Sequence, residues 1–145
     1  MSSIYDALNA AGRALSVQRQ RLDVASTNLA NAQTTRSADG TVFKRRDVLL
    51  SDAEVGDPFA FESELDKLRT VEVVEVVEDD APPKMVYQPN HPDADPNGYV
   101  AYPNINTVEE MVNMITTMRS YQANLNILSG FKQMTDRVLG IGRMG

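Results

Sequence analysis

Between Thr107 and about Leu139 the chain runs TVEEMVNMITTMRSYQANLNILSGFKQMTDRVL without a proline, and its apolar residues fall at helical spacing. Met111, Met114, Met118, Tyr121, Leu125 and Leu128 alternate steps of three and four, which places them on one face of an α-helix. Thr107 followed three residues later by Glu110 matches a capping box and marks the helix start. Such a helix would be roughly 45–50 Å long at 1.5 Å per residue, far beyond the ~11–12 residues of an average helix. A stripe of that length cannot be buried in a small globule. It demands a second long helix, in the same chain or in a neighbour.

The N-terminal stretch supplies one. Ile4, Leu8, Ala11, Leu15, Gln18, Leu22, Ala25 and Leu29 follow a strict four-three alternation, and all but Gln18 are apolar. A heptad sustained this long predicts a coiled coil with a left-handed seam. The small Ala11 and Ala25 would let a partner helix approach closely, and Arg13, Arg19 and Arg21 lie off the seam. A glutamine in mid-seam fixes register at some cost in stability. The simpler reading is one helix packed on an ordinary core. The helix is expected to end near Asn31, because Ser26 to Thr35 is rich in Asn, Ser and Thr, which compete for backbone hydrogen bonds. Asn28 and Asn31 would then cap the helix, bond a neighbouring chain, or mark a plain helix-to-loop transition.

Charge separates the ends from the middle. Residues 1–50 carry a net charge of +3, residues 51–107 carry −10, and residues 108–145 carry +1. An acidic middle disfavours nucleic acid and anionic membrane as partners, and suits a solvated outer face between two association-prone ends. With no cysteine there is neither a disulfide framework nor a thiolate-ligated metal. No apolar run reaches the eighteen residues of a membrane span, and no basic-then-apolar signal segment opens the sequence.

The middle reads as short strands. Thr41–Phe43 and Val48–Leu50 suggest one or two, separated by a basic Lys44–Arg46 run taken as solvated face. Residues 51–69 are polar and acidic around Pro58; Phe59 and Phe61 could anchor a loop, and Glu62 to Arg69 would form one helical turn or none. Val71 to Val77, VEVVEVV, is a clean strand whose imperfect alternation calls for a bulge or an all-buried face. Met85–Tyr87 and Gly98–Tyr102 are two further strands, with Tyr99 and Tyr102 expected to pack the β unit on the start of the C-terminal helix.

Little here suggests chemistry. His91 is the single histidine, so no Ser/His/Asp grouping can form, and its place beside Pro92 reads as a structural turn. Asp93–Gly98, DADPNG, matches the opening of a calcium loop, but the twelfth position, which needs a bidentate acid, is Asn104. Pro96-Asn97-Gly98 fits a tight turn feeding a strand better. Gly140-Ile141-Gly142 lacks the strand-then-helix context of a phosphate loop. The methionines of the C-terminal helix read as adaptable packing.

Two segments carry a family resemblance. Ser26 to Thr34 fits SxNLANAxT, a motif shared by bacterial flagellar rod and hook proteins, and His91 to Leu125, HPDADPNGYVAYPNINTVEEMVNMITTMRSYQANL, resembles the signature of the proximal rod members of that family. The resemblance covers nearly the whole chain; residues 51–70 match no motif and VEVVEVVEDDAPPKMVY follows the pattern loosely. It implies a structural subunit of the basal-body rod, not an enzyme, with no cofactor and no small-molecule substrate. It further implies terminal helices that self-associate into a tube joining the membrane ring to the distal rod and hook. The implied partners are other rod proteins, proximal and distal, the rod-base adaptor and membrane ring, and the flagellar type III export apparatus. The implied place is the periplasmic rod, reached without a cleaved signal.

The fold expected is therefore mainly α with a small β insertion. Residues 1–35 form a coiled-coil helix and motif, 36–106 an acidic middle with short strands, and 107–145 a second coiled-coil helix. Ile4, Leu8, Ala11, Leu15, Leu22, Ala25, Asn28, Leu29 and Asn31, with Met111, Met114, Met118, Tyr121, Leu125 and Leu128, are the interface candidates. Within them, Leu8, Leu15 and Leu22 would face Met111, Met118 and Leu125, and Asn28 and Asn31 would bond between subunits. The alternative function is a regulatory helical module that binds calcium or another small ligand.

Overall fold

The computed structural model describes residues 2–37, 39–55 and 68–142. The expectations for Phe59, Phe61 and Glu62 to Lys67 lie outside them. Two long helices bracket two hairpins: α1 (Ser2–Asn31), β1 (Arg46–Val55), β2 (Leu68–Glu78), β3 (Lys84–Tyr87), β4 (Tyr99–Tyr102) and α2 (Thr107–Gly142). About half of the chain is helix. At 1.5 Å per residue α2 is about 54 Å long. The long helices and the β insertion match the pattern in the sequence. Coiled-coil pairing goes beyond this coarser architecture.

The two sheets are separate antiparallel pairs, β1 with β2 and β3 with β4. In the first, Arg46 faces Glu78 and Leu49 faces Glu75, but Leu50 faces Val73, so Val74 is an extra residue on β2. That bulge is the physical answer to VEVVEVV. A strand alternates with period two, whereas this segment repeats every three residues. One inserted residue shifts the alternation, so that Glu72 and Glu75 both stay exposed and Val73 and Val76 are both half-buried. Val74 itself is exposed. Thr41–Phe43, expected as a strand, is irregular, and Leu68 and Arg69 belong to β2 rather than to a helical turn.

The second hairpin is closed by the DADPNG turn. Asp95 Oδ1 accepts the backbone N–H groups of Asn97 and Tyr99, both at 2.8 Å, and Gly98 sits at φ +83°. A Cβ on Gly98 would lie 2.8 Å from the Tyr87 ring, so only glycine fits. The Tyr87 and Tyr99 rings meet edge-on at 5.3 Å, and the Tyr102 hydroxyl donates to Gln88 Oε1 at 2.9 Å. Tyr99 and Tyr102 thus hold their own hairpin together. They do not seat it on α2, because β4 and α2 make no close backbone approach. Their cross-strand neighbours were nearer than any helix.

α1 lies between α2 and the first hairpin and packs on both. Its buried apolar side chains are Val17 and Ala25; with Ala32 just past its end and Val100 of β4 they make up the buried hydrophobic core among the described residues. So small a core for two long helices leaves much apolar surface in contact with water.

Candidate functional site

Two features of the molecule have a specific geometry: a polar node where the ends meet the hairpin, and an apolar stripe on the outer face of α2.

The node begins with the cap of α2. Asn106, not Thr107, is the capping residue: its Oδ1 accepts from the N–H of Val108 at 3.1 Å and of Glu109 at 3.5 Å. The sequence allowed either, since both Asn106 and Thr107 precede a glutamate by three residues. With Asn106 in that role, Glu110 is not needed to complete a capping box. Its carboxylate is buried, at 3% exposure, and takes a hydrogen bond from Arg45 Nε at 2.7 Å. Arg45, expected on a solvated basic face, turns inward to make it and also reaches Asp47 at 3.2 Å. Burial alone would lower the pKa of the guanidinium. The hydrogen bond and charge of Glu110, then those of Asp47, outweigh burial and raise it above the ordinary arginine value.

Asn28 completes the node from α1 at 1% exposure. Its Nδ2 donates to the Arg46 carbonyl at 2.7 Å and, at 3.5 Å, to Glu110 Oε2; its Oδ1 accepts the Arg46 N–H at 2.9 Å. The side-chain amide thus acts as a strand neighbour to the first residue of β1. Both amide atoms of Asn28 are thus engaged inside the chain. Asn31 is likewise engaged locally: Nδ2 donates to the Thr27 carbonyl at 2.9 Å and Oδ1 accepts from the Thr34 hydroxyl at 3.3 Å. Thr35, just past the motif, donates to Asp93 of the C-terminal signature at 2.7 Å. Sequence reasoning missed Arg45 and Glu110 as partners. They stand 65 residues apart, and no local pattern joins them.

The helix pairing differs from the expected seam. α2 turns Glu110, Asn113 and Thr117 toward Arg21, Val24, Ala25 and Asn28 of α1, where these residues line a recess of about 130 Å³. The helices therefore run antiparallel. Met111 and Met118 each lie one residue on, about 100° further round the helix. They are 42% and 55% exposed, so they do not form an intrachain seam with Leu8, Leu15 and Leu22. Met114, Tyr121, Leu125 and Leu128 are half-buried, as are Leu8, Ala11, Leu15, Leu22 and Leu29, while Ala25 is buried. Ile4 lies in α1, and its side chain is outside the described set. Gln18 is half-buried, and its Oε1 is enclosed without a hydrogen-bond partner.

What remains on α2 is a second stripe. Val108, Met111, Ile115 and Met118 step by three, four and three, and all are exposed, with Val112 beside them. A helix apolar on two sides has two neighbours to satisfy, and α1 covers one side only.

Residues 8–36 match the family model described as flagella basal body rod protein, and residues 97–141 match the flagellar basal body rod FlgEFG protein C-terminal model. The node draws Asn28 from the first match and Glu110 from the second. The chain is 39% identical over 142 residues to the flagellar basal-body rod protein FlgC of Salmonella typhimurium, covering 97% of this chain and 99% of that one. It is 36% identical over 148 residues to FlgC of Borreliella burgdorferi, covering 95% and 97%. To FlgC of Bacillus subtilis it is 35% identical over 147 residues, covering 96% and 98%.

Proposed function

The chain belongs to the FlgC family of flagellar basal-body rod proteins, and from that premise we propose how its two ends build the rod. It is a structural subunit of the basal-body rod. α1 and α2 pack on each other within one subunit, and the outer stripe of α2, Val108, Met111, Ile115 and Met118, packs on a neighbouring subunit. Repeated head to tail, a contact that does not close generates a helical tube. The supporting observation is that α2 already packs on α1 through the side that carries Glu110 and Thr117, while Val108, Met111, Ile115 and Met118 on another side face water. Half-buried seam residues of α1 such as Leu8, Leu15 and Leu22 become fully covered in the same assembly. The neighbours are copies of this chain and other rod proteins, with the rod-base adaptor and membrane ring at one end and the distal rod at the other. The subunit crosses to the periplasm through the flagellar export apparatus, and it carries out no reaction.

Ile115→Glu tests the surface. The side chain is half exposed in the single chain, so the variant should fold and be exported, yet cells relying on it should make no rod beyond this subunit and should not swim. Normal motility with Ile115→Glu would remove the outer stripe from the interface.

A further inference from the structure

We infer that the Asn28–Glu110–Arg45 node is a latch that fixes the β1–β2 hairpin only when α1 and α2 are docked on each other. This rests on the intrachain geometry and stands whether or not the outer stripe of α2 is a subunit contact.

Residues 45 and 46 tie three segments together. The Arg45 carbonyl accepts the Asp79 N–H at 2.7 Å and closes the base of the hairpin, while its side chain holds Glu110 of α2. The Arg46 backbone is held at both its N–H and its carbonyl by Asn28 of α1. Neither strand of the hairpin makes a close backbone approach to α2 among the described residues. The Arg45–Glu110 pair is thus the direct polar link from α2 to the hairpin base.

The chemistry makes the link conditional. A buried carboxylate without partners is strongly disfavoured. Glu110 is buried where α2, α1 and the hairpin base meet, and its strong partner comes from neither helix but from that base. With the helices docked and the hairpin loose, Glu110 would lose Arg45 and face α1 with the Asn28 amide, 3.5 Å away, as its remaining partner. With the helices apart, Glu110 is hydrated and places no demand on Arg45. Intermediate arrangements are therefore penalised, and the docked helices and the seated hairpin form together. The middle of the chain takes its direction after its ends have paired, so a subunit whose helices are unpaired carries an unlatched hairpin.

Amide hydrogen exchange on the full chain reads this. Leu128→Ala weakens α2 far from the hairpin. With the latch intact, its loss of protection in α2 should be matched by a loss of about tenfold or more at residues 46–51 and 72–78. In an Arg45→Gln background the same substitution should lower protection in α2 and leave the hairpin where Arg45→Gln alone put it. Glu110→Gln, which keeps the shape and removes the charge, provides a second background should Arg45→Gln prove unstable. A hairpin that follows α2 equally in every background would show that coupling runs through α1 packing, and would overturn the latch. A hairpin protected while the helices exchange freely would overturn it as well.

Discussion

Replacing Arg45 by alanine is the perturbation whose cost the node defines best. Glu110 is 3% exposed and Arg45 24% exposed, and their Nε–Oε1 separation is 2.7 Å. Removing one partner of a buried pair costs about 3–5 kcal/mol, because the other is left desolvated and uncompensated. The partial exposure of Arg45 admits water to the vacated space, and Asn28 Nδ2 stays at 3.5 Å, which brings the expected loss to roughly 2–4 kcal/mol. With a urea dependence of about 2 kcal/mol per molar, the midpoint should fall by roughly 1–2 M. The reciprocal change is not symmetric. Glu110→Ala leaves a guanidinium that still reaches Asp47 and solvent, so its loss should be smaller, about 1–2 kcal/mol. Urea titrations followed by circular dichroism would compare the two variants. Equal losses, or a loss below about 1 kcal/mol for Arg45→Ala, would show that the pair behaves as a surface ion pair and would refute the reasoning.

Other consequences can be checked alongside. Asn28→Ala orphans the Arg46 N–H and carbonyl together and should cost about 2–4 kcal/mol in the same titration. Gly98→Ala meets both the positive φ and the Tyr87 ring, and should lower the melting temperature by the equivalent of about 1–3 kcal/mol. Lys44 and Asp80 pair at 2.8 Å on the surface; the hydrogen bond and charge of each partner lower the Asp80 pKa and raise that of Lys44. The stability this lends is present above the carboxylate pKa of the unfolded chain and is lost as pH falls through the lowered value in the fold. Asp80→Asn should therefore lower the melting temperature slightly at neutral pH and low salt, with no difference from the parent chain in strong acid.

Legibility from sequence followed the range of the interactions. α1 and α2 were readable because a heptad repeats over many turns, and the end of α1 near Asn31 because its polar residues compete locally for the backbone. The bulge at Val74 was readable as a conflict between a period-three segment and a period-two strand. The cap of α2 was ambiguous, since N-T-V-E-E offers two capping frames one residue apart. The apolar residues of α2 divide between two sides: Met114, Tyr121, Leu125 and Leu128 are half-buried, while Met111 and Met118 lie further round and are exposed. Asn28 looked like a group awaiting another chain because its partner is a backbone position, Arg46, that no side-chain pattern can announce.

The most direct test of the assembly uses the absence of native cysteine. An Ile115→Cys variant places one thiol in the middle of the outer stripe of α2, where the parent side chain is 51% exposed. Its rate of alkylation would be measured in the isolated chain and in purified basal bodies. Fast labelling in the chain and near-complete protection in the rod is the outcome expected if a neighbouring subunit covers that stripe. Equal labelling in both would contradict it.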